Sequence, residues 1–303
     1  MEGPLVSITI PAYNAEEFIG RAIRSALSQT HKNIEVVVLD DGSTDKTGDM
    51  VRALQKTDSR VRYYYQDNQG LAAARNRLLS LCRGEYVTFL DHDDEILPHK
   101  TEIQLEAFRR NPNIAMVYGD IIKKYFDGRQ ERAFVFKKPR RGRVFYEYLL
   151  EGNFIPLISV LIKRDILEKY LPFNLNYKVA EEWDVFLKVA KDYDIDYVDK
   201  VVGIYNVHKS NFTIKYPLLG IEEMLLIMDS WERSDPNISL FHKRKFIKSK
   251  AEINLQKIWY ADSQKQKIKI IIDCVRLNPC WLRPYLKLLQ AICFKQSIRK
   301  ELK

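Results

Sequence analysis

The sequence predicts an α/β fold in which helices flank a Rossmann-like, mostly parallel sheet and a helical region follows at the C-terminus. Short apolar runs rich in β-branched residues alternate with segments whose apolar residues recur at helical spacing. Such alternation is typical of βαβ units, whose parallel strands are covered on both faces. Beyond His208 the pattern becomes helical and basic, which predicts the extension.

The predicted elements of the first half follow this alternation closely. Strands are predicted at residues 6–10, 36–39, 61–65 and 86–90, and helices at residues 16–29, 46–56 and 70–82. The first strand is apolar and β-branched, and the first helix carries its apolar residues on one face. Residues 1–95 therefore resemble a nucleotide-binding half.

The second half is less regular. A hairpin is predicted from residues 116–125 and 131–136 across the Asp127-Gly128 turn. We also expect a helix at 144–150, an apolar segment at 155–162 and a helix from Glu181 to about Tyr193. The expected division is a catalytic domain at residues 1–210, with halves 1–95 and 96–210, followed by a basic helical region at 211–303.

Composition indicates a folded protein with an uneven charge distribution. The 303 residues are 46% hydrophobic and carry a net charge of +9. Basic residues gather at residues 137–143 and from Lys243 onward, so a positive surface beside acidic clusters could attract a phosphorylated ligand or an anionic membrane. No nucleic-acid motif is present, and we expect no nucleic-acid partner.

The four cysteines and the N-terminus bear on the compartment. Cys82, Cys274, Cys280 and Cys293 show no metal-ligand spacing and are expected to be reduced structural thiols. No leader and no membrane-spanning apolar stretch is recognisable in the sequence. We therefore expect a cytoplasmic protein.

Three carboxylates follow the predicted strand at residues 86–90, in the motif Asp91-His92-Asp93-Asp94. In an open α/β sheet, ligands gather where strands end, and hard oxygen ligands suit Mg²⁺ or Mn²⁺. The motif therefore indicates a site for a divalent cation and phosphate. A solvated acidic turn, with Asp94 capping the next helix, is the alternative explanation.

Three further segments are compatible with a nucleotide. The motif Pro11-Ala12-Tyr13-Asn14 places an aromatic ring at the end of the first strand, where a flat base could lie. Asp40-Asp41-Gly42-Ser43 supplies a carboxylate acceptor, and the small-residue helix start after Gly70 brings Arg75 towards carboxylates or phosphate. Each has a structural alternative: a packed tyrosine, a helix cap and a tightly packed helix.

Together the motifs resemble the N-terminal signature of family 2 glycosyltransferases. The resemblance is carried by residues 6–14, 40–45, 68–76 and 84–94 in this order, and it continues weakly through Glu181-Glu182-Trp183-Asp184 and Tyr205-Asn206-Val207-His208. It implies a GT-A nucleotide-diphospho-sugar transferase fold, a nucleotide-diphosphate sugar donor and inversion at the anomeric carbon. None of it extends beyond about residue 213.

The resemblance also implies roles for individual residues. Tyr13 and Asp41 would hold the base, and Asp91 would bind the ribose or approach the metal. Asp93 would bind a divalent cation, Mn²⁺ or Mg²⁺, with His208 completing the metal or diphosphate site. The remaining residues of the expected donor-binding set are Pro11, Asn14, Gly70, Arg75 and His92, of which the resemblance itself assigns no role to His92.

Inversion requires a base that removes the proton of the acceptor hydroxyl. Glu182 is the candidate, although the family usually has Glu-Asp where this chain has Glu181-Glu182. The longer side chain leaves Glu181 or Asp184 as possible substitutes. Acids that favour the dipole at a helix N-terminus explain the cluster without catalysis.

We therefore expect an inverting, metal-dependent transferase that moves a sugar, most naturally from a UDP-sugar, to a saccharide, lipid-linked or other hydroxyl acceptor in polysaccharide or glycoconjugate biosynthesis. A nucleotidyltransferase would need a Gly-rich, basic phosphate loop after the first strand, which Pro11-Ala12-Tyr13-Asn14 does not supply. A non-catalytic sugar-nucleotide-binding protein is the other alternative.

The C-terminal region raises the question of a membrane contact. Apolar residues alternate with Lys and Arg from Ile270 to Phe294, as in a helix that lies on an anionic bilayer. Packing on the catalytic core or a homodimer contact explains the same stripe. The expected location is thus cytoplasmic, with peripheral attachment to the cytoplasmic membrane face as a further possibility.

Overall fold

The computed structural model describes residues 3–133 and 139–278 and divides into two compact units. The first unit comprises Met1–Phe145 and Asn153–Asn211, and the second comprises Tyr146–Gly152 and Phe212–Lys303. The second unit thus includes one short segment from the middle of the chain. Whether residue 210 ends an independent domain stays a prediction.

The first unit is built on one mixed sheet. Its strands within the described residues are β1 Val6–Ala12, β2 Ile34–Asp41, β3 Val61–Gln66, β4 Tyr86–Phe89, β5 Glu95–Ile96, β6 Met116–Tyr125, β7 Gln130–Arg132, β8 Leu161–Lys163 and β9 Ile195–Val207. They lie in the order β3-β2-β1-β4-β8-β6-β9-β5, with β7 paired to β6. The first four strands of that order are parallel, β8 is antiparallel to both neighbours, and β6 and β9 are parallel.

Helices cover this sheet and form the second unit. In the part of the chain that the structure describes, the α-helices are α1 Ile19–Leu27, α2 Thr47–Thr57, α3 Leu71–Leu81, α4 Lys100–Arg110, α5 Phe145–Glu151, α6 Arg164–Leu167, α7 Glu181–Asp192, α8 Phe212–Lys215, α9 Pro217–Ser234, α10 Lys243–Leu255 and α11 Gln264–Leu277. Every residue of β1 and β2 is buried, as expected for central strands covered on both faces. Apolar residues of α1 pack against them in the core.

The predicted βαβ alternation is confirmed, with shifted boundaries. The first helix begins at Ile19 rather than at Glu16, because the segment before it is used for contacts with the loop after β2: the Glu16 amide donates to Asp45 and the Glu16 carboxylate accepts from the Lys46 amide. The hairpin of β6 and β7 is present as far as Arg132, and residues 134–136 of its predicted second strand lie outside the described residues.

The predicted apolar segment at 155–162 contains two elements, a 3-10 turn at Leu157–Ser159 and the strand β8. In the second unit, α10, the 3-10 turn Gln256–Tyr260 and α11 share a small core formed by Ala251, Leu255, Ile258, Ile271 and Cys274. Part of the apolar stripe that begins at Ile270 therefore packs inward, and the stripe from Trp281 onward lies outside the described residues. Among the described helices, none combines the length and the apolar character needed to cross a bilayer.

Candidate active site

The carboxyl ends of three neighbouring parallel strands bring the sequence motifs to one edge of the sheet. In the register of the sheet, Ala12 at the end of β1 lies beside Asp40 of β2, and Thr9 of β1 lies beside Phe89 of β4. The Tyr13 turn, the Asp40-Asp41 pair and the Asp91–Asp94 turn therefore follow adjacent strands. This is the edge where open α/β sheets bind ligands.

The turn after β1 is fixed by the loop after β2. Asn14 has a φ of 48°, a left-handed conformation that asparagine tolerates better than most residues. Its amide donates to Ser43 Oγ at 2.9 Å, and its side-chain oxygen accepts from the Thr44 amide at 2.9 Å. Tyr13 is 49% exposed beside this turn, so its ring is available to a ligand.

The two neighbouring aspartates of β2 have different partners. Asp40 is buried and accepts hydrogen bonds from the Ser43 amide and the Tyr63 hydroxyl, both at 2.9 Å. Burial and this carboxylate raise the pKa of Tyr63 to about 12. Asp40 therefore links β2 to β3 and to the turn that follows β2.

Asp41 instead organises the start of α3. Its carboxylate accepts from Gln66 Nε2 at 2.6 Å, the Gln69 amide at 3.0 Å and the Gly70 amide at 2.9 Å. Gly70 has a φ of +87°, which favours glycine, and α3 begins at the next residue. The predicted base-binding aspartate thus also positions the loop beside it.

Arg75 of α3 is buried between two carboxylates. Its Nη2 donates to Asp91 Oδ1 at 2.8 Å, and its Nη1 donates to Glu181 Oε1. Burial disfavours the cation, yet the charges of Asp91 and Glu181 raise the pKa of Arg75. The contact joins the turn after β4 to the first residue of α7, 106 positions away from Arg75 in the chain.

Asp93 and His208, the predicted metal ligands, lie side by side. His208 Nε2 is 3.0 Å from Asp93 Oδ2, and Asn211 Nδ2 donates to the same oxygen at 3.1 Å. The His208 ring stacks on Phe18 with 5.0 Å between centroids, and its Nδ1 contacts Ser210 Oγ at 2.6 Å. Asn211 was missed by sequence reasoning, and its spacing three residues after the histidine was the available signal.

The other residues of the acidic turn hold it in place. Asp94 is buried and accepts from the Asn206 amide at 2.8 Å, and burial with the nearby charges of Asp93 and Asp91 raises its pKa well above the usual range. It thus anchors β9 instead of capping a helix. His92 Nδ1 lies 3.3 Å from the Pro11 carbonyl oxygen, which ties the turn to the end of β1.

The side chains at and beside the acidic turn include atoms that could bind a hard divalent cation. In residues 3–133 and 139–278, no three His, Cys, Asp or Glu side chains form a cluster that could hold a metal by themselves. Asp93 and His208 supply two ligand atoms of suitable type. Such a partial set suits Mn²⁺ or Mg²⁺, because nucleotide phosphates and water usually complete their coordination.

Glu182, the predicted base, is buried in the first turn of α7. Its Oε1 accepts from Asn153 Nδ2 at 2.9 Å. Burial and the adjacent Glu181 raise its pKa to about 8, while Arg75 partly opposes this shift. Glu181 is bound by Arg75 and Asp184 by Lys188 at 2.8 Å, so the two suggested substitutes are engaged elsewhere.

The Arg75–Glu181 contact predicts a strong coupling energy. The substitution Arg75→Met removes the guanidinium from a buried carboxylate and should lower the free energy of unfolding by about 3–5 kcal/mol. Adding Glu181→Met should recover a large part of the loss, since the buried charge disappears as well. Urea unfolding of the wild type, both single variants and the double variant measures this coupling. Additive losses would show that the contact contributes little.

Comparison with known proteins agrees with this geometry. The model of the family described as Glycosyl transferase family 2 matches residues 7–171, more than half of the chain. The Escherichia coli UDP-Glc:alpha-D-GlcNAc-diphosphoundecaprenol beta-1,3-glucosyltransferase WfgD is 32% identical over 200 residues, which cover 66% of this chain and 75% of that protein. Two other curated relatives, the Escherichia coli chondroitin synthase and the Pasteurella multocida hyaluronan synthase, are much longer, and the matched part of the chain spans 17% and 22% of their length.

Solved structures share the fold at low sequence identity. Staphylococcus aureus TarS 1-349 in complex with UDP-GlcNAc has a TM-score of 0.64 and 21% identity, covering 90% of this chain and 81% of that one. The Pyrobaculum calidifontis mannosyltransferase PcManGT, in complex with GDP-Man and Mn²⁺, has a TM-score of 0.61 and 18% identity, with coverages of 98% and 86%. The predicted GT-A fold is thereby confirmed. The chain belongs to glycosyltransferase family 2 and is a nucleotide-sugar-dependent transferase of glycoconjugate biosynthesis.

Proposed function

We propose that this transferase inverts the anomeric centre of a UDP-sugar and uses Glu182 as its base. The observation that carries the proposal is the buried Arg75, which binds Asp91 of the acidic turn and Glu181 next to the base. One side chain thereby ties the acidic turn, where the donor is expected, to the first turn of α7, which carries the proposed base. This favours the transferase over a protein that only binds sugar nucleotides.

Glu182 would remove the proton of the acceptor hydroxyl while that oxygen attacks the anomeric carbon from the face opposite the diphosphate. A base works best when its pKa is near the working pH, and burial raises the pKa of Glu182 to about 8. The hydrogen bond from Asn153 Nδ2 to Oε1 orients the carboxylate of Glu182. Asn153 is thus proposed as a positioning residue.

A divalent cation, Mn²⁺ or Mg²⁺, would be held by Asp93 and His208. Bound there, it would neutralise charge on the departing nucleoside diphosphate. The stacking of His208 on Phe18 and the hydrogen bond from Asn211 to Asp93 keep both ligands in position. The Mn²⁺ in the PcManGT complex supports metal dependence by analogy of fold.

The donor site is proposed around the carboxyl ends of β1 and β2. Tyr13 would stack on the base, and Asp41 would accept a hydrogen bond from its ring N–H. Pro11, Asn14, Gly70 and His92 would shape the surrounding loops, while Asp91 would meet the ribose. A UDP-sugar is proposed because WfgD is named for UDP-Glc and TarS binds UDP-GlcNAc.

The acceptor is proposed to be a saccharide on a lipid diphosphate, the acceptor class in the name of WfgD. An acceptor of this kind lies in a membrane, so a protein on the cytoplasmic face would meet it most readily.

Two observations favour a transferase over a nucleotidyltransferase. The chain belongs to glycosyltransferase family 2, and no basic phosphate loop follows β1. Whether the protein forms a homodimer stays a prediction.

The first test separates donor binding from catalysis. Glu182→Gln should lower the transfer rate at least about 100-fold, because the amide cannot accept the proton. Affinity for a UDP-sugar in Mn²⁺, measured by calorimetry, should stay within about twofold of the wild type. Glu182→Asp, the residue usual in the family, is the control and should keep measurable activity. Near-normal transfer by the glutamine variant would assign the base elsewhere.

The second test concerns the metal. Asp93→Ala should weaken Mn²⁺-dependent binding of a UDP-sugar at least about tenfold, because one of two protein ligands is lost. With a chelator present, the variant and the wild type should bind equally weakly. Asp199 is an exposed carboxylate on β9. Asp199→Ala therefore serves as the matched control, and its affinity for the UDP-sugar should equal that of the wild type. If calorimetry gave Asp93→Ala the affinity of the wild type in Mn²⁺, Asp93 would not be a metal ligand.

A further inference from the structure

A short segment of the second unit exposes two large apolar side chains. Leu240 is 73% exposed and Phe241 is 76% exposed, within the π-helical turn Ile238–His242 that precedes α10. Four exposed cations follow at Lys243, Arg244, Lys245 and Lys248. Residues 238–248 are called the apolar-basic turn here.

The exposure of these side chains does not result from a loose loop. Ile238 before them and Phe246 after them are fully buried. Between these two anchors, the His242 ring stacks on Tyr146 with 4.0 Å between centroids and an interplanar angle of 29°. The backbone of the turn is therefore fixed at three points, and it presents Leu240 and Phe241 to solvent.

The charges beside the apolar pair are of one sign. Residues 236–251 contain no Asp or Glu. Within the described chain, none of the four exposed cations of the turn forms an ion pair with a carboxylate, whereas Lys250, on the same helix, contacts Asp229 and Glu232. The apolar-basic turn thus combines exposed apolar area with unneutralised positive charge.

We propose that the apolar-basic turn docks the protein on an anionic lipid bilayer. Leu240 and Phe241 would enter the boundary between headgroups and acyl chains, and the four cations would contact lipid phosphates. Charge complementarity selects this occupant. A second copy docked by the same face in a twofold arrangement would place like charges against each other.

This inference rests on the proposed function in one respect: docking would bring the protein to the membrane that holds a lipid-linked acceptor. The apolar-basic turn is distinct from the predicted apolar stripe that begins at Ile270. It begins before α10 and lies within the described residues. Binding to vesicles needs neither donor nor acceptor. A failure of docking and a failure of the proposed chemistry are therefore measured separately.

The test uses co-sedimentation of the full-length protein with vesicles of phosphatidylcholine, with and without phosphatidylglycerol. The wild type should bind the anionic vesicles, and binding should weaken as salt is added. Leu240→Ser with Phe241→Ser should lower the partition coefficient at least about tenfold through lost apolar insertion. The triple change Lys243→Glu, Arg244→Glu and Lys245→Glu should lower it at least as much.

Leu226→Ser is the matched control. Leu226 is also an exposed apolar residue of the second unit, at 57% exposure, but it lies on α9 among the acidic residues Glu222, Glu223 and Asp229. Its vesicle binding should equal that of the wild type. Thermal unfolding by circular dichroism verifies that each variant is folded, as expected for changes at exposed positions.

Three results would overturn the proposal. The first is equal binding of the wild type to neutral and anionic vesicles. The second is wild-type binding to anionic vesicles by both the double serine variant and the triple glutamate variant. Light scattering after size exclusion could also show that the serine variants change the oligomeric state while vesicle binding stays the same. The last result would assign the apolar-basic turn to contacts between copies.

Discussion

The site depends on a buried arginine that holds two distant parts of the chain together. A guanidinium removed from water needs carboxylate partners, and Arg75 finds them in Asp91 and Glu181. The helix that carries it starts at Gly70, whose amide is held by Asp41. The end of β2, the acidic turn after β4 and the start of α7 are thereby tied to α3. Moving any of them would leave a buried charge without its partner.

In each acidic cluster, one carboxylate has only a supporting role, and its neighbour is a candidate for ligand binding or reaction. All three supporting carboxylates are buried: Asp40 accepts from the Tyr63 hydroxyl and the Ser43 amide, Asp94 accepts from a backbone amide, and Glu181 binds Arg75. Their neighbours are the residues with proposed roles in the reaction. Asp41 is proposed to bind the nucleobase, Asp93 to bind the metal, and Glu182 to accept the proton. Like charges close together repel each other, and the acids respond in two ways: the pKa values of Asp94 and Glu182 are raised, and Glu181 pairs with Arg75. The repeated pairing of acids in the sequence is explained by this division.

Sequence reasoning recovered the βαβ half and the acidic turn, because buried strands and strand-end motifs have local patterns. It could not separate Glu181 from Glu182, since the distinction comes from Arg75 in another helix. Asn153 and Asn211 were missed because their partners, Glu182 and Asp93, are brought near by folding. The helix α4 and the full length of β9 lack clear motifs. In the second unit, periodicity predicted helices but not which apolar side chains would remain exposed.

The dependence of kcat/KM on pH tests most directly whether Glu182, with its raised pKa, is the base. A base must be ionised, so activity should rise with pH and level off above about pH 8. Glu181→Gln removes a like charge beside Glu182 and should move this inflection to lower pH. A wild-type profile that is flat between about pH 6 and 9, or an inflection unchanged by Glu181→Gln, would contradict the assignment.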